Sequence, residues 1–137
     1  MTDRTFAFAF RVEGEPIPKG RPRFTVGRKK DGSSFVRAVT PQRTQDAEEA
    51  IRWSFRSAYA GISPHPLPGE IRLVIHFASK KKLAPTYAPD LDNLAKTVKD
   101  ALNGFAWEDD CQVAEMHLTI ERGVTDPYTQ ISWEEKA

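Results

Sequence analysis

The chain is short of several things, and each shortage closes off a class of protein. It has one cysteine, Cys111, in 137 residues. An internal disulfide is thereby excluded, and a reducing compartment, the cytoplasm, is expected. No apolar run approaches the roughly 20 residues a membrane-spanning helix needs, so no membrane partner is expected. The opening stretch MTDRTFAFAFRVEGEP alternates Phe6, Phe8, Phe10 and Val12 and is interrupted by Arg11 and Glu13. That pattern predicts a strand over about 5–13, not the continuous apolar core of a signal peptide. His65, His76 and His117 stand apart from any Cys or His at ligand spacing, which argues against zinc. Cys111 has no nearby histidine base and no glycine-rich turn, so a thiol nucleophile is not indicated. Internal repeats and low-complexity tracts are missing as well.

Net charge is also scarce, at +1, but the balance hides an asymmetry. Residues 1–45 carry ten Lys/Arg against four Asp/Glu, a net of +6, whereas 46–137 carry ten against fifteen, a net of −5. A basic half suits a polyanion, and part of an acidic half suits a metal ion. With 39% hydrophobic residues, 1–137 is expected to form a single domain with one core.

After the first strand, PIPKGRPRFTVGRKKDGSSFVRAVT predicts a proline-braced basic loop opening into a hairpin, with Asp31-Gly32 as its turn. Thr40-Pro41 marks a helix start as cap and first-turn residue. Ala47, Ala50, Ile51, Ser54, Phe55 and Ala58 share one face of that helix, which runs to about Ala60 and is ended by Gly61. A Pro-rich connector, GISPHPLPG, precedes a strand at about 70–78 with Ile71, Leu73, Ile75 and Phe77 on one side. A second helix, a strand carrying Ala114, Met116, Leu118 and Ile120 on one face, and a last strand at 129–135 complete the order. The order predicts an α+β (mixed α/β) fold, with two main helices packed on a mixed sheet.

The densest chemistry lies in PDLDNLAKTVKDALNGFAWEDD, residues 89–110. Leu91, Leu94, Ala95, Val98, Ala101 and Leu102 make one apolar stripe at helical spacing, which places a helix from about 90 or 91 to about 103. Pro89 favours its start, and Asn103-Gly104 its end. Residues two apart on a helix do not face each other, so Asp90 and Asp92 share a ligand only if Asp90 is still extended. Lys96 follows Asp92 by one turn on the same face, in reach of a bound phosphate. Beyond the helix, strand alternation would keep Asp109 and Asp110 from entering one site together. Carboxylate oxygens of this kind suit Mg²⁺, with water and phosphate completing the octahedron. A D-x-D alone is an ordinary helix cap; the longer constellation is what distinguishes this one. Tyr87 and Trp107 flank the carboxylates as candidates to stack on an exposed base or to pack in the core.

DLDNLAKTVKDALNG (90–104), WEDDCQ (107–112) and the upstream PIPKGRPRF (16–24) resemble, in order and rough spacing, the Holliday-junction resolvases of the RusA type. The resemblance spans most of the chain. It implies that Asp90, Asp92 and Asp110 are the metal-binding carboxylates and Lys96 the essential lysine. It further implies a homodimeric, Mg²⁺-dependent endodeoxyribonuclease that resolves four-way DNA junctions by paired symmetric nicking. Asp100 matches a recurrent acidic residue, yet it lies two turns from the D-x-D and is expected to be an ion-pair or surface partner.

Lys19, Arg21 and Arg23 on the braced loop are the candidate DNA contacts, since Arg offers phosphate a bidentate fork and Lys a point charge. Arg28, Lys29 and Lys30 on the hairpin and Lys80 to Lys82 before the site extend that footprint. Two alternatives stay open: a metal nuclease acting on other branched or flapped DNA, and a non-catalytic DNA-structure binding module.

Overall fold

The computed structural model describes residues 6–20, 23–60, 64–84 and 89–137. The elements are β1 (Phe8–Glu13), β2 (Arg23–Arg28), β3 (Ser34–Val39), α1 (Gln42–Tyr59), β4 (Ile71–Ser79), α2 (Leu91–Leu102), a 3-10 turn (Asp110–Gln112), β5 (Val113–Arg122) and β6 (Tyr128–Glu135). A four-stranded sheet has the order β1-β6-β4-β5, and β2 and β3 form a separate antiparallel pair. Within the larger sheet β4 and β5 run parallel, while β1 and β4 each run antiparallel to β6. The fold is α+β with a mixed sheet, as the element order predicts.

One face of the sheet carries the core. Ile71, Leu73, Ile75 and Phe77 of β4, Ile131 and Trp133 of β6, and Phe10 of β1 pack against Leu94, Ala95, Val98, Ala101 and Leu102 of α2 and against Ile51 and Phe55 of α1. Each fully buried Leu or Ile contributes about 1.5–3 kcal/mol, so the apolar stripe of α2 fixes which side of that helix meets solvent. A parallel pair needs a crossover, and α2 is the crossover between β4 and β5. The opposite face of β4 carries Arg72, Val74, His76 and Ala78, with Arg72 bridging Glu115 and Glu134.

Three local expectations shift. Pro41, not Thr40, occupies the cap position of α1, and no side chain caps it. The buried residues of α1 are Thr44, Glu48, Ile51 and Phe55, while Ala50 and Ala58 are exposed. Polar Thr44 and Glu48 face inward because the loop before the hairpin docks on them. In β5, Ile71 pairs with Val113 but Arg72 with Glu115, so Ala114 falls in a bulge and Val113 takes its place on the core side. Helix α1 ends at Tyr59 with Ala60 as its C-cap; Gly61 lies outside the described residues.

Candidate active site

Asp90 is the N-cap of α2, with φ −91° and ψ 161°, so it does sit in extended backbone ahead of the helix. Its Oδ1 accepts the Asn93 backbone N–H at 2.9 Å, satisfying one of the orphan donors of the first turn. Asp92 and Lys96 stand exposed on successive turns. Together with Ala95, Lys99, Asp100, Asp110 and Met116 they line a groove of about 350 Å³.

Asp110 reaches this groove from the other end. It opens the 3-10 turn, and its Oδ1 accepts the indole N–H of Trp107 at 2.9 Å. Trp107 is wholly buried and so is not available to stack on a base. Its backbone carbonyl accepts from Gly104 N–H just after α2, which ties the turn to the helix end. Gly104, at φ +82°, takes the left-handed conformation that lets the chain reverse there. A buried donor thus holds one oxygen of Asp110. Asp92 lies in the first turn of α2 and Asp110 sits past its end, so these two bracket the groove, whose lining does not include Asp90. Among the described residues no three acidic, His or Cys side chains converge on one point.

Asp109 and Asp110 do take different directions, though a turn and not strand alternation separates them. Asp109 accepts from Cys111 N–H at 2.9 Å, and Gln112 closes the box by accepting from Asp109 N–H at 2.7 Å. A hydrogen bond from the Cys111 thiol, and then the one from its backbone N–H, hold the Asp109 carboxyl below the usual range, and the same carboxylate raises the pKa of that thiol. Gln112 also donates to the carbonyls of Leu67 and Gly69, anchoring the turn to the connector before β4.

The braced loop docks along α2 beside the groove. The Lys19 backbone N–H donates to the Asn93 carbonyl at 3.2 Å, and Gly20 N–H donates to Thr44 Oγ1 at 2.9 Å. A Cβ on Gly20 would come within 2.9 Å of both Pro41 and Thr44, so glycine is what allows this contact. The Lys19 ammonium lies 3.0 Å from Glu48 and 2.9 Å from Asp100, with its side chain only 17% exposed. Burial disfavours the charged form, but the bonds to Asp100 and Glu48 outweigh it and raise the Lys19 pKa above its ordinary 10.5. Asp100 is therefore an ion-pair partner, as expected. Arg21 and Tyr87 lie outside the described residues; Arg23 opens β2.

Two members of this arrangement were missed in the sequence, for different reasons. Lys99 lies seven residues after Asp92 and three after Lys96, so helical spacing alone places it on the same face. Glu48 carried no signal, because it is 29 residues from Lys19 and only the tertiary fold joins them.

A groove with Asp92 and Asp110 beside Lys96 and Lys99, and with Asp100 taken up by Lys19, can hold a cation and a phosphate side by side. No helix among the described residues is long and apolar enough to cross a membrane. The family model for the endodeoxyribonuclease RusA matches residues 13–132. The chain is also similar to an uncharacterized protein, YqaN, of Bacillus subtilis (strain 168), with 32% identity over 120 residues covering 80% of this chain and 84% of the relative. The match begins within β1, ends within β6 and includes every groove residue, and on that evidence the chain belongs to the RusA family of endodeoxyribonucleases.

Proposed function

We propose that this chain is a Mg²⁺-dependent endodeoxyribonuclease that resolves four-way DNA junctions by paired nicking as a homodimer. The observation that carries the chemistry is the shared groove of Asp92, Lys96 and Asp110. Membership of the family supplies the junction substrate. Asp90, Asp92 and Asp110 would hold one or two Mg²⁺ ions, since hard carboxylate oxygens on an open, hydrated face suit an ion that keeps much of its water. When bound, Mg²⁺ supplies an activated water and charge neutralisation at the leaving 3′-oxygen.

The residues of the chain do the positioning. Lys96 steadies the non-bridging oxygens of the scissile phosphate as negative charge builds on them. The indole of Trp107 fixes the rotamer of Asp110, and the cap bond to Asn93 fixes that of Asp90. Arg21 and Arg23 contact flanking phosphates. A twofold dimer sets two such grooves against two equivalent strands of a junction.

Incubation of the pure protein with a synthetic four-way junction and with linear duplex, in Mg²⁺ or in EDTA, tests this. Symmetric nicks at the junction that require Mg²⁺ are expected. Nicks scattered equally over linear duplex would replace the resolvase by a general nuclease, and binding without cleavage in any divalent metal would leave a DNA-structure binding module.

A further inference from the structure

The β2–β3 hairpin is built unlike the rest of the molecule. Its register pairs Phe24 with Ala38 and Val26 with Val36, so these four side chains share one face. Phe24 is 75% exposed, Val26 71% and Val36 66%. On the other face Phe35 lies over Gly27, where an added Cβ would sit 2.4 Å from the ring, and Arg37 donates to Thr25. An isolated two-stranded hairpin is marginal in water, and an apolar face left open on one is a surface that something covers.

Charge identifies the occupant. Residues 23–39 carry Arg23, Arg28, Lys29, Lys30 and Arg37 against Asp31 alone, a net of +4. A second copy of the same face would bring like charges together, whereas nucleic acid brings phosphates to the cations and base faces to the apolar side chains. Position agrees. The loop leading into the hairpin is bonded to Asn93 in the first turn of α2, between Asp92 and Lys96 in sequence, and Thr40, just past β3, is held by Gln45 of α1. Strands of six residues give the arm a length of about 20 Å.

Resting on the junction reading above, we propose that this hairpin is the branch-point reader. Phe24, with Val26 and Val36 beside it, packs against bases that are unstacked where the duplex arms diverge, while Arg28, Lys29 and Lys30 grip the flanking phosphates. Regular duplex keeps its bases stacked and offers the apolar face no counterpart, so the hairpin supplies preference for branched DNA as well as affinity. Side-chain wedges that enter an opened base step are a general device of DNA-bending proteins.

The test uses the full chain in EDTA, with a four-way junction carrying 2-aminopurine at the branch and a linear duplex of the same sequence. Wild type should raise the 2-aminopurine fluorescence of the junction only. Phe24→Ser should remove that signal and weaken junction binding by about tenfold, the scale of one base stacked on an aromatic ring, with duplex binding and circular dichroism unchanged. Phe24→Trp should restore both. Replacing Arg28, Lys29 and Lys30 by Gln should weaken both DNAs alike and flatten the salt dependence. An unchanged junction-to-duplex ratio in Phe24→Ser, with wild type still cutting junctions, overturns the branch-point role and leaves the resolvase standing. Equal loss on both DNAs together with a shift from dimer to monomer in sedimentation overturns it in favour of a second copy on this face. Absence of any branch-directed cleavage by wild type overturns both readings.

Discussion

In their strands and helix, the β4–α2–β5 unit and the β2–β3 hairpin carry similar proportions of apolar side chains and treat them oppositely. In the first, every apolar residue of the α2 stripe beyond Leu91 is buried and the exposed face holds the acids and lysines of the groove. In the second, Phe24, Val26 and Val36 face solvent, and Phe35 packs within the hairpin over Gly27. Chemistry on a phosphate demands side chains held to fractions of an ångström, which a packed crossover provides. Recognition of a large, flexible polyanion tolerates looser placement and gains from reach.

The widest separation between the two regions should appear in turnover. Asp92→Asn and Asp110→Asn are each expected to lower junction cleavage by on the order of 10²- to 10³-fold, the scale of losing one preorganised charge, with binding in EDTA unchanged or tighter. Asp109→Asn, a turn staple outside the groove, should cost far less. Single-turnover cleavage beside gel-shift titration measures this, and near wild-type turnover in either groove variant would remove that residue from the site.

Stability should divide the regions next. Leu94→Ala is expected to cost about 2–5 kcal/mol, because a buried methyl-rich side chain leaves a cavity under α2. Val36→Thr, an isosteric change on the exposed hairpin face, should stay within about 0.5 kcal/mol. Urea unfolding with both variants decides it, and an equal loss in the two would mean that the hairpin is packed in solution.

Lys19 stands four residues before β2 yet is ion-paired to Asp100 of α2, and a smaller effect sharpens where it belongs. Removing its ammonium leaves Glu48 nearly buried without its closest partner, so Lys19→Met should destabilise by roughly 1–3 kcal/mol. If Lys19 belongs to the rigid unit, the salt slope of DNA binding stays as in wild type; a slope reduced by about 0.9 would place it on phosphate instead.

The smallest expected effect is a pH dependence from the far side of the core. His65 sits among Phe8, Phe55, Tyr59 and Trp133, and its Nε2 accepts the Trp133 indole N–H at 3.1 Å. Burial pushes its pKa below the ordinary 6.5. As pH falls through that value the unfolded chain takes up a proton that the folded chain refuses, so stability declines on the acid side and is level above it. Thermal melts between pH 5 and 8 should show this slope in wild type and a flatter line in His65→Gln.

How much of this was legible depended on whether the signal was local. The α2 stripe repeats at helical spacing, and Asp31-Gly32 names its own turn, so both elements lie where the sequence puts them. The phase of β5 failed at Ala114 because a bulge adds one residue without changing the alternation on either side. The inward face of α1 failed because Thr44 and Glu48 are buried by a loop more than twenty residues away, which no periodicity in the helix encodes. Of the groove, Asp92, Lys96 and Asp110 are legible in the sequence, whereas Glu48 beside Lys19 and the Trp107 bond to Asp110 are tertiary facts.

That last bond gives the protein an optical handle. Of its three tryptophans, Trp53 is exposed and Trp133 is buried by His65, so Trp107 alone has an indole N–H on a groove carboxylate. Indole emission responds to the electric field along the ring and to the strength of the N–H bond. On the proposed reading, a cation that draws charge from Asp110 would weaken that bond, and the emission of a Trp53→Phe variant should shift as Mg²⁺ is added. Metal arrival would then be visible in a cuvette without DNA, without cleavage and without a label.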